Sequence, residues 1–484
     1  MGVLHRHASN LIGGAFADPP GGVRRTRENP SRTREILGDA PQSGASEVDA
    51  AVAAASAALG GWRALAGPAR GRHLQAAADA LGASANELAD LVAAEVGKPV
   101  AEARGEVARG VALLRYYAAE TERSQGESLR HPDGRSLFFT RRVPLGVVAL
   151  ITPWNFPVAI PLWKGAPALA FGNAVVWKPA QWASLVAHRL SEILAAALPP
   201  GVWNTVLGSG SAAGTALAAH PGIAGLSFTG SEVLGRRMAA ELAGRGVKFQ
   251  GELGGKNPAI VLADADLDRA AEIVCSGAFR FAGQKCTATS RVIVEAPVLE
   301  AFTERIADRA RSLRPLPADS PDCYIGPVVS ASQAEAIAAA IALGRSAGAR
   351  LVAGGPDAAA PDGYFVAPTV FDRVEPDAAL AQEEIFGPVL AVQAARDPAE
   401  AVRLANRTRY GLSAALFTRS LDRALAYLDG IEAGMVRVNA ETAGVDYMAP
   451  FGGMKASSSH SREQGRAAVE FYTEVQTVTI SPSR

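Results

Sequence analysis

The chain has 484 residues, of which 48% are hydrophobic and 20% charged, so it is globular rather than disordered and long enough for two or three domains. Its 48 basic and 48 acidic residues cancel, which leaves no electrostatic footprint for nucleic acid. The three cysteines, Cys275, Cys286 and Cys323, are an odd number with no CxxC pair, which argues against a disulfide framework or a metal site and predicts reduced, cytoplasmic thiols.

The opening "MGVLHRHASNLIGG" lacks a continuous apolar run, so no export signal is expected. From Glu47 to about Thr121, Ala-rich segments with apolar residues at spacings of three and four predict helices, broken at Gly97 and Pro99. "LRHPDGRSLFFTRRVPLG" reads as a β-hairpin turning on Asp133-Gly134. The apolar stretch Val143 to Pro179 is long enough for a membrane span, but it holds five internal prolines, Asn155, Lys164 and Asn173. It reads instead as strand, loop, buried helix and strand, so no membrane partner is expected.

Strands and helices then alternate. "GVVALIT", "AVVWKP", "VWNTVLG" and "GIAGLSFTG" are strands; "LWKGAPALAFG", "SLVAHRLSEILAAAL", "SAAGTALAAH" and "SEVLGRRMAAELA" are helices. This βαβ rhythm predicts a doubly wound parallel sheet. A second α/β region follows, with strands in "NPAIV", "SRVIVE" and near Gly434–Asn439. "AVEFYTEVQTVTIS" alternates as a terminal strand, and "GGPDAAAPDG" is a loose Ala/Gly/Pro stretch.

Cys286 lies among Gly283, Gln284, Lys285 and Thr287, in loop or helix-start chemistry where backbone N–H groups stabilise a thiolate. Cys275, on an apolar helix, reads as a small buried hydrophobe. "QGELGGKNP" places Glu252 before two glycines, 34 residues upstream of Cys286, as a candidate base or a plain turn residue. Asn155 in "TPWNFP" can donate to an oxyanion or simply tie down a loop. In "SFTGSEVLGRRM", Gly230-Ser231 after a strand resembles a phosphate turn without being GxGxxG. Lys178, at the end of a strand, can reach a ribose or be solvated.

Together the ordered motifs "TPWNFP", "WKP", "FTGS", "ELGGKNP", "GQKC", "EEIFGPV" and "PFGGMKASS" resemble the NAD(P)-dependent aldehyde dehydrogenase superfamily, from about Leu11 to Ile480. The resemblance implies Cys286 as nucleophile, Glu252 as general base, and Asn155 with the Cys286 N–H as oxyanion hole. It implies Lys178 and Glu384 at the riboses, Phe386 beside the nicotinamide, and Gly230 and Ser231 at the pyrophosphate. Thr152, Trp154 and Gly254 fall in its cofactor motifs, and Lys164 and Glu463 match a proton path from the base. The implied reaction oxidises an aldehyde through a cysteine thiohemiacetal and thioester.

Gln181 stands where the family often has a glutamate. A neutral amide removes repulsion against a 2′-phosphate, so NADP or NAD is expected, with NADP slightly favoured. The motifs around Cys286 and Gly452 look closest to 2-oxoglutarate semialdehyde (2,5-dioxopentanoate) dehydrogenases, and Arg280 is a candidate partner for the far carboxylate. Succinate semialdehyde or a neutral or aromatic aldehyde is the alternative substrate. A cysteine-dependent esterase or a non-enzymatic protein is the alternative class, which the cofactor residues argue against.

The implied architecture is α/β, with a doubly wound cofactor-binding domain (1–121 and 145–253). An α/β catalytic domain (254–469) follows, and a small β bridging element (122–144 and 470–484) pairs subunits of a homodimer or homotetramer.

Overall fold

The computed structural model describes residues 6–19, 21–123, 126–355, 362–444, 446–459 and 461–483. Two seven-stranded sheets dominate it. The first runs, edge to edge, through Lys248–Glu252, Gly225–Thr229, Val147–Thr152, Ala174–Pro179, Trp203–Thr205, Asn10–Ile12 and Ala15–Ala17. The five strands from Lys248–Glu252 to Trp203–Thr205 are parallel, as the βαβ rhythm predicts, and the last two add on antiparallel. Chain order reverses between Val147–Thr152 and Gly225–Thr229. Such a switch point opens a crevice at the carboxyl ends of the strands, where Thr152, Lys178, Gly230, Ser231 and Glu252 lie.

The second sheet runs Arg350–Ala353, Thr369–Asp372, Val389–Ala395, Thr289–Glu295, Asn257–Val261, Ser413–Phe417 and Met435–Val438. All its pairings are parallel except the first. Only Leu253, Gly254, Gly255 and Lys256 separate the carboxyl end of Lys248–Glu252 from the amino end of Asn257–Val261. That short link sets amino ends of the second sheet beside the crevice of the first.

Four helices, Ala45–Ala64, Gly67–Ala83, Ala85–Val96 and Val100–Glu120, fill the Ala-rich region. The third stops at Gly97 in the left-handed region (φ 73°), a conformation glycine adopts without a Cβ penalty. The predicted hairpin forms from Ser128–Arg130 and Leu137–Pro144, and Asp133 accepts the N–H groups of Arg135 and Ser136, each at 2.9 Å. Thr473–Ile480 pairs antiparallel with its second strand.

Some expectations are corrected. The terminal strand starts at Thr473, because Ala468–Tyr472 is a short helix that buries Phe471 and Tyr472 in succession, which a two-residue period cannot do. "SAAGTALAAH" opens as a wide π turn, Gly210–Gly214, and only Thr215–Ala219 is α-helical. Arg24–Asn29 and Arg32–Pro41 form an antiparallel pair that no apolar alternation announces. In the loose stretch, residues 356–361 lie outside the described residues. Among the described residues no helix is long and apolar enough to cross a membrane, and no acidic, His or Cys cluster could hold a metal.

Candidate active site

The helix Leu267–Phe279 leads into a short turn before Cys286. Phe281 (φ 54°), Ala282 (φ 51°) and Gly283 (φ 67°) are all left-handed in succession. Each non-glycine residue there costs roughly 1–3 kcal/mol. Complete burial of the Phe281 ring, edge-on to Trp154 at 6.3 Å, helps offset that strain. A Cβ on Gly283 would lie 2.4 Å from the Gly387 carbonyl oxygen, so glycine is required for two reasons.

Buried amides then pin the loop. The Gln284 side chain donates to the carbonyls of Phe281 (3.3 Å) and Pro327 (3.2 Å) and accepts the Val329 N–H (3.0 Å). Asn155 Nδ2 donates to the Gln284 carbonyl at 2.9 Å, which leaves its second N–H available. Asn257 Nδ2 donates to the carbonyls of Cys286 (2.8 Å) and Ala288 (2.9 Å). Asn257 and Gln284 had no signal in the sequence beyond membership of "GGKNP" and "GQKC".

Burial pushes the Cys286 thiol up to about 12, and the charges of Glu384 and Glu252 add to the rise. Burial carries Cys275 and Cys323 to about 12 as well. Acidity alone therefore does not single out Cys286. Its position does, since it is partly accessible while the other two are buried.

Glu252 is buried at the end of its strand. Its Oε2 accepts the Ser458 hydroxyl at 2.5 Å, and its Oε1 has no partner among the described residues. Burial first, and the Glu463 charge second, push its carboxyl well above the ordinary range, against the opposing pull of Ser458, Lys164 and Arg462. Behind it the buried Lys164 ammonium pairs with Glu463 Oε1 and donates to Ser227 Oγ at 2.9 Å. Ser227 in turn donates to Gln250 Oε1 at 3.2 Å. The predicted pair Lys164 and Glu463 is thus brought together in a buried polar chain that acts electrostatically on Glu252. Ser458, in an irregular loop, escaped sequence reasoning.

The crevice residues also converge. Thr152 Oγ1 accepts the Trp177 indole N–H at 2.8 Å, which locks the strand end. Burial alone lowers Lys178 to about 8, with no acidic neighbour among the causes. Gly230 N–H is taken by the Glu252 carbonyl at 3.1 Å, and Ser231 heads the helix Glu232–Ala243 without a side-chain cap bond. Gln181 Oε1 is buried without a partner. Glu384 Oε1 accepts the Gly255 N–H at 3.0 Å, and burial raises its carboxyl to about 7. A Cβ on Gly254 would come within 2.4 Å of Glu384 Oε2, so the glycine keeps this carboxylate in place. Phe386, left-handed at φ 55°, meets Trp154 edge-on at 5.8 Å. An ammonium with no counter-ion among the described residues, a carboxylate and flat aromatic walls fit a hydroxyl-rich dinucleotide.

Arg280 is already engaged. Its Nε lies 3.0 Å from Glu102 Oε1, while Lys285 holds Glu102 Oε2 at 3.1 Å. Burial opposes ionisation of Glu102, but Lys285, Arg280 and Lys98 together keep its carboxyl below the ordinary value.

A crevice that brings a partly accessible thiol near a buried carboxylate, beside a cradle for a dinucleotide, holds the groups that oxidation of an aldehyde through a thiol would use. The aldehyde dehydrogenase family model matches residues 21–478, and the chain belongs to that family. It is 46% identical over 477 residues to the alpha-ketoglutaric semialdehyde dehydrogenase of Bacillus subtilis, covering 98% of each chain. It is 40% identical over 455 residues to the 2,5-dioxopentanoate dehydrogenase of Saccharolobus solfataricus, covering 93% of this chain and 95% of that one. Among solved structures, the NAD-dependent aldehyde dehydrogenase of Sinorhizobium meliloti superposes with a TM-score of 0.96 at 36% identity, covering 99% of this chain and 95% of that one.

Proposed function

We propose that this aldehyde dehydrogenase oxidises 2,5-dioxopentanoate to 2-oxoglutarate with NAD or NADP. The observation that carries the chemistry is the buried Glu252 carboxylate, whose Oε1 has no hydrogen-bond partner among the described residues, close enough to the partly accessible Cys286 thiol for its charge to act on it. The names of the two relatives support the substrate, and that of the solved structure supports a nicotinamide acceptor.

Cys286 first releases its proton to solvent; the thiolate then adds to the aldehyde carbon, and the C=O electron pair moves onto oxygen as an alkoxide. Asn155 and the Cys286 backbone N–H donate to it, where charge develops in the transition state. The nicotinamide, when bound, supplies the acceptor for the hydride that leaves this carbon. A thioester on Cys286 remains. Glu252, its carboxyl raised above the ordinary range by burial, takes a proton from water as the water oxygen attacks the thioester carbon. The C–S bond breaks, the thiolate returns, and the carboxylic acid departs. Lys164 and Glu463 set the charge felt by Glu252. Lys178 and Glu384 hold ribose hydroxyls, Gly230 and Ser231 face the pyrophosphate, and Thr152, Trp154, Gly254 and Phe386 shape the nicotinamide end.

The sheets support a cofactor domain of 1–121 and 145–253, a catalytic domain of 254–469, and a bridging element of 122–144 and 470–484. We place the enzyme in the cytoplasm, as a homodimer or homotetramer joined through that element.

The test is a panel of 2,5-dioxopentanoate, succinate semialdehyde, benzaldehyde and pentanal, each with NAD and NADP, followed at the absorbance of the reduced nicotinamide. The first should give the highest kcat/KM. Faster oxidation of benzaldehyde or pentanal would overturn the substrate, and ester cleavage without any dinucleotide reduction would overturn the reaction class.

A further inference from the structure

A second arginine stands apart from Arg280. Arg109 lies on the helix Val100–Glu120, which packs closely on the helix Ala159–Ala170: a Cβ on the adjacent Gly110 would fall 2.8 Å from Leu162 Cδ1. This packing sets the Arg109 guanidinium against the Trp163 ring, 5.9 Å from its centroid. Trp163 in turn stacks obliquely on Phe451 at 5.3 Å, and Phe451 packs with Leu412 and Met435 against Cys286. A chain of aromatic contacts thus leads from the reacting thiol to a cation.

Arg109 forms no ion pair among the described residues. Among the described residues its one hydrogen bond runs from Nη2 to Gln464 Oε1, at 2.8 Å, and Asp446 and Glu106 act on it through their charges. Among the described residues three donors here are buried and lack an acceptor: Arg109 Nε, Trp163 Nε1 and Gln464 Nε2. Trp163 is 6% exposed and Gln464 fully buried. Gln464, next to Glu463, has a positive φ of 60°, a conformation that costs free energy, and the bond from Arg109 to its Oε1 orients its amide. An unmet buried donor costs roughly 1–3 kcal/mol, so several in one cluster call for an acceptor from outside the chain.

We propose that Arg109, Trp163 and Gln464 form the subsite that reads the 2-oxo acid end of the substrate. The inference rests on the aldehyde dehydrogenase reading above and deepens it. A 2-oxo acid presents three acceptor oxygens in a short planar array, two on the carboxylate and one on the ketone. A guanidinium, an indole N–H and a carboxamide N–H match that number and chemistry. A simple carboxylate lacks the third oxygen and leaves one donor unmet. The subsite therefore selects 2,5-dioxopentanoate over succinate semialdehyde as well as over uncharged aldehydes. Arg280, whose Nε is held by Glu102, stands outside it.

The experiment compares kcat/KM for 2,5-dioxopentanoate, succinate semialdehyde and pentanal in the native enzyme and in Arg109→Met, Arg109→Lys and Trp163→Phe. Arg109→Met should lose roughly thirty-fold or more on both acids, chiefly through KM, and far less on pentanal. Arg109→Lys should regain part of the loss on the acids, which a packing defect would not allow. Trp163→Phe keeps the ring and removes one donor, so it should lower the preference for 2,5-dioxopentanoate over succinate semialdehyde by several-fold. Equal losses on all three aldehydes in Arg109→Met and Arg109→Lys would overturn the proposal, as would an unchanged KM for the acids. If the native enzyme itself does not favour 2,5-dioxopentanoate, the substrate reading fails and this subsite with it. If the native enzyme favours it and Arg109→Met still does, only the subsite fails.

Discussion

Glu102 bridges two cations at the edge of the thiol loop, Arg280 on one carboxylate oxygen at 3.0 Å and Lys285 on the other at 3.1 Å. The trio carries a net positive charge and is partly open to solvent, with the Arg280 side chain 40% exposed. Such a group draws an anionic aldehyde toward the site without having to clasp it. Arg280→Ala should therefore raise KM for 2,5-dioxopentanoate by no more than about fivefold, since exposed charge pairs contribute about 0–1 kcal/mol. The effect should fade as ionic strength rises, because screening acts on exposed charges. Steady-state kinetics at low and high salt measure both. A loss above a hundredfold that salt does not change would place Arg280 directly on the substrate carboxylate.

With no dinucleotide bound, Cys286 should behave as a poorly ionised thiol. Below a pKa near 12 the thiolate fraction rises about tenfold with each unit increase in pH. Alkylation of Cys286 by iodoacetamide, located by mass spectrometry, should accordingly keep rising from pH 7 to pH 9. Glu252→Gln removes one of the negative charges that hold the thiol up, so alkylation at a fixed pH should become faster. A rate that levels off below pH 8 would show that the thiol is already activated. Slower alkylation in Glu252→Gln would show that the carboxylate makes the thiolate.

Much of this site could be read from the chain, and the parts that could not have a common cause. Asn155, Cys286 and Glu252 sit in short local motifs whose glycines and prolines dictate backbone shape, and the βαβ rhythm set out the parallel strands. Arg280 and Glu102 are 178 residues apart, so no local pattern announces their pairing. Arg109 reads as one more polar residue on an Ala-rich helix, and only the crossing at Gly110 shows that it faces Trp163. Ser458 and Gln464 belong to loops with neither helical nor strand period. The pair Arg24–Asn29 and Arg32–Pro41 is rich in charged residues and lacks apolar alternation, and Arg27 is buried beside Glu95.

Glu252→Gln should stall the enzyme after the first turnover. The amide keeps the shape of the side chain and can still accept from Ser458, but it cannot take a proton from water. Rapid mixing of enzyme, dinucleotide and aldehyde should give a burst of about one reduced nicotinamide per active site and then slow turnover. An unchanged steady-state rate would move the base elsewhere. Ser458→Ala should raise the Glu252 carboxyl further, because the hydroxyl at 2.5 Å favours the ionised form. The acidic limb of the pH–kcat profile should then shift to higher pH.

Gln181→Glu should move the dinucleotide preference toward NAD. Gln181 opens a short turn after the strand that carries Lys178, and its Oε1 is buried with no partner. The neighbouring Trp182 ring has the Arg25 guanidinium over it at 4.7 Å, a cation that can accept a phosphate, whereas Arg27, 5.0 Å from the same ring, is paired with Glu95. A carboxylate at position 181 changes both sides of the balance. It repels a 2′-phosphate, and it accepts a hydrogen bond from a free 2′-hydroxyl. Two like charges about 5 Å apart at an effective dielectric near 20 interact by roughly 3 kcal/mol, a factor of about a hundred. Exposure reduces this, so a shift of at least about tenfold in the ratio of kcat/KM for NADP to NAD is expected. Dissociation constants from quenching of tryptophan fluorescence should move in parallel, which separates binding from turnover. If neither ratio changes, the 2′ position lies away from Gln181, and Lys178 together with Arg25 becomes the determinant to vary next.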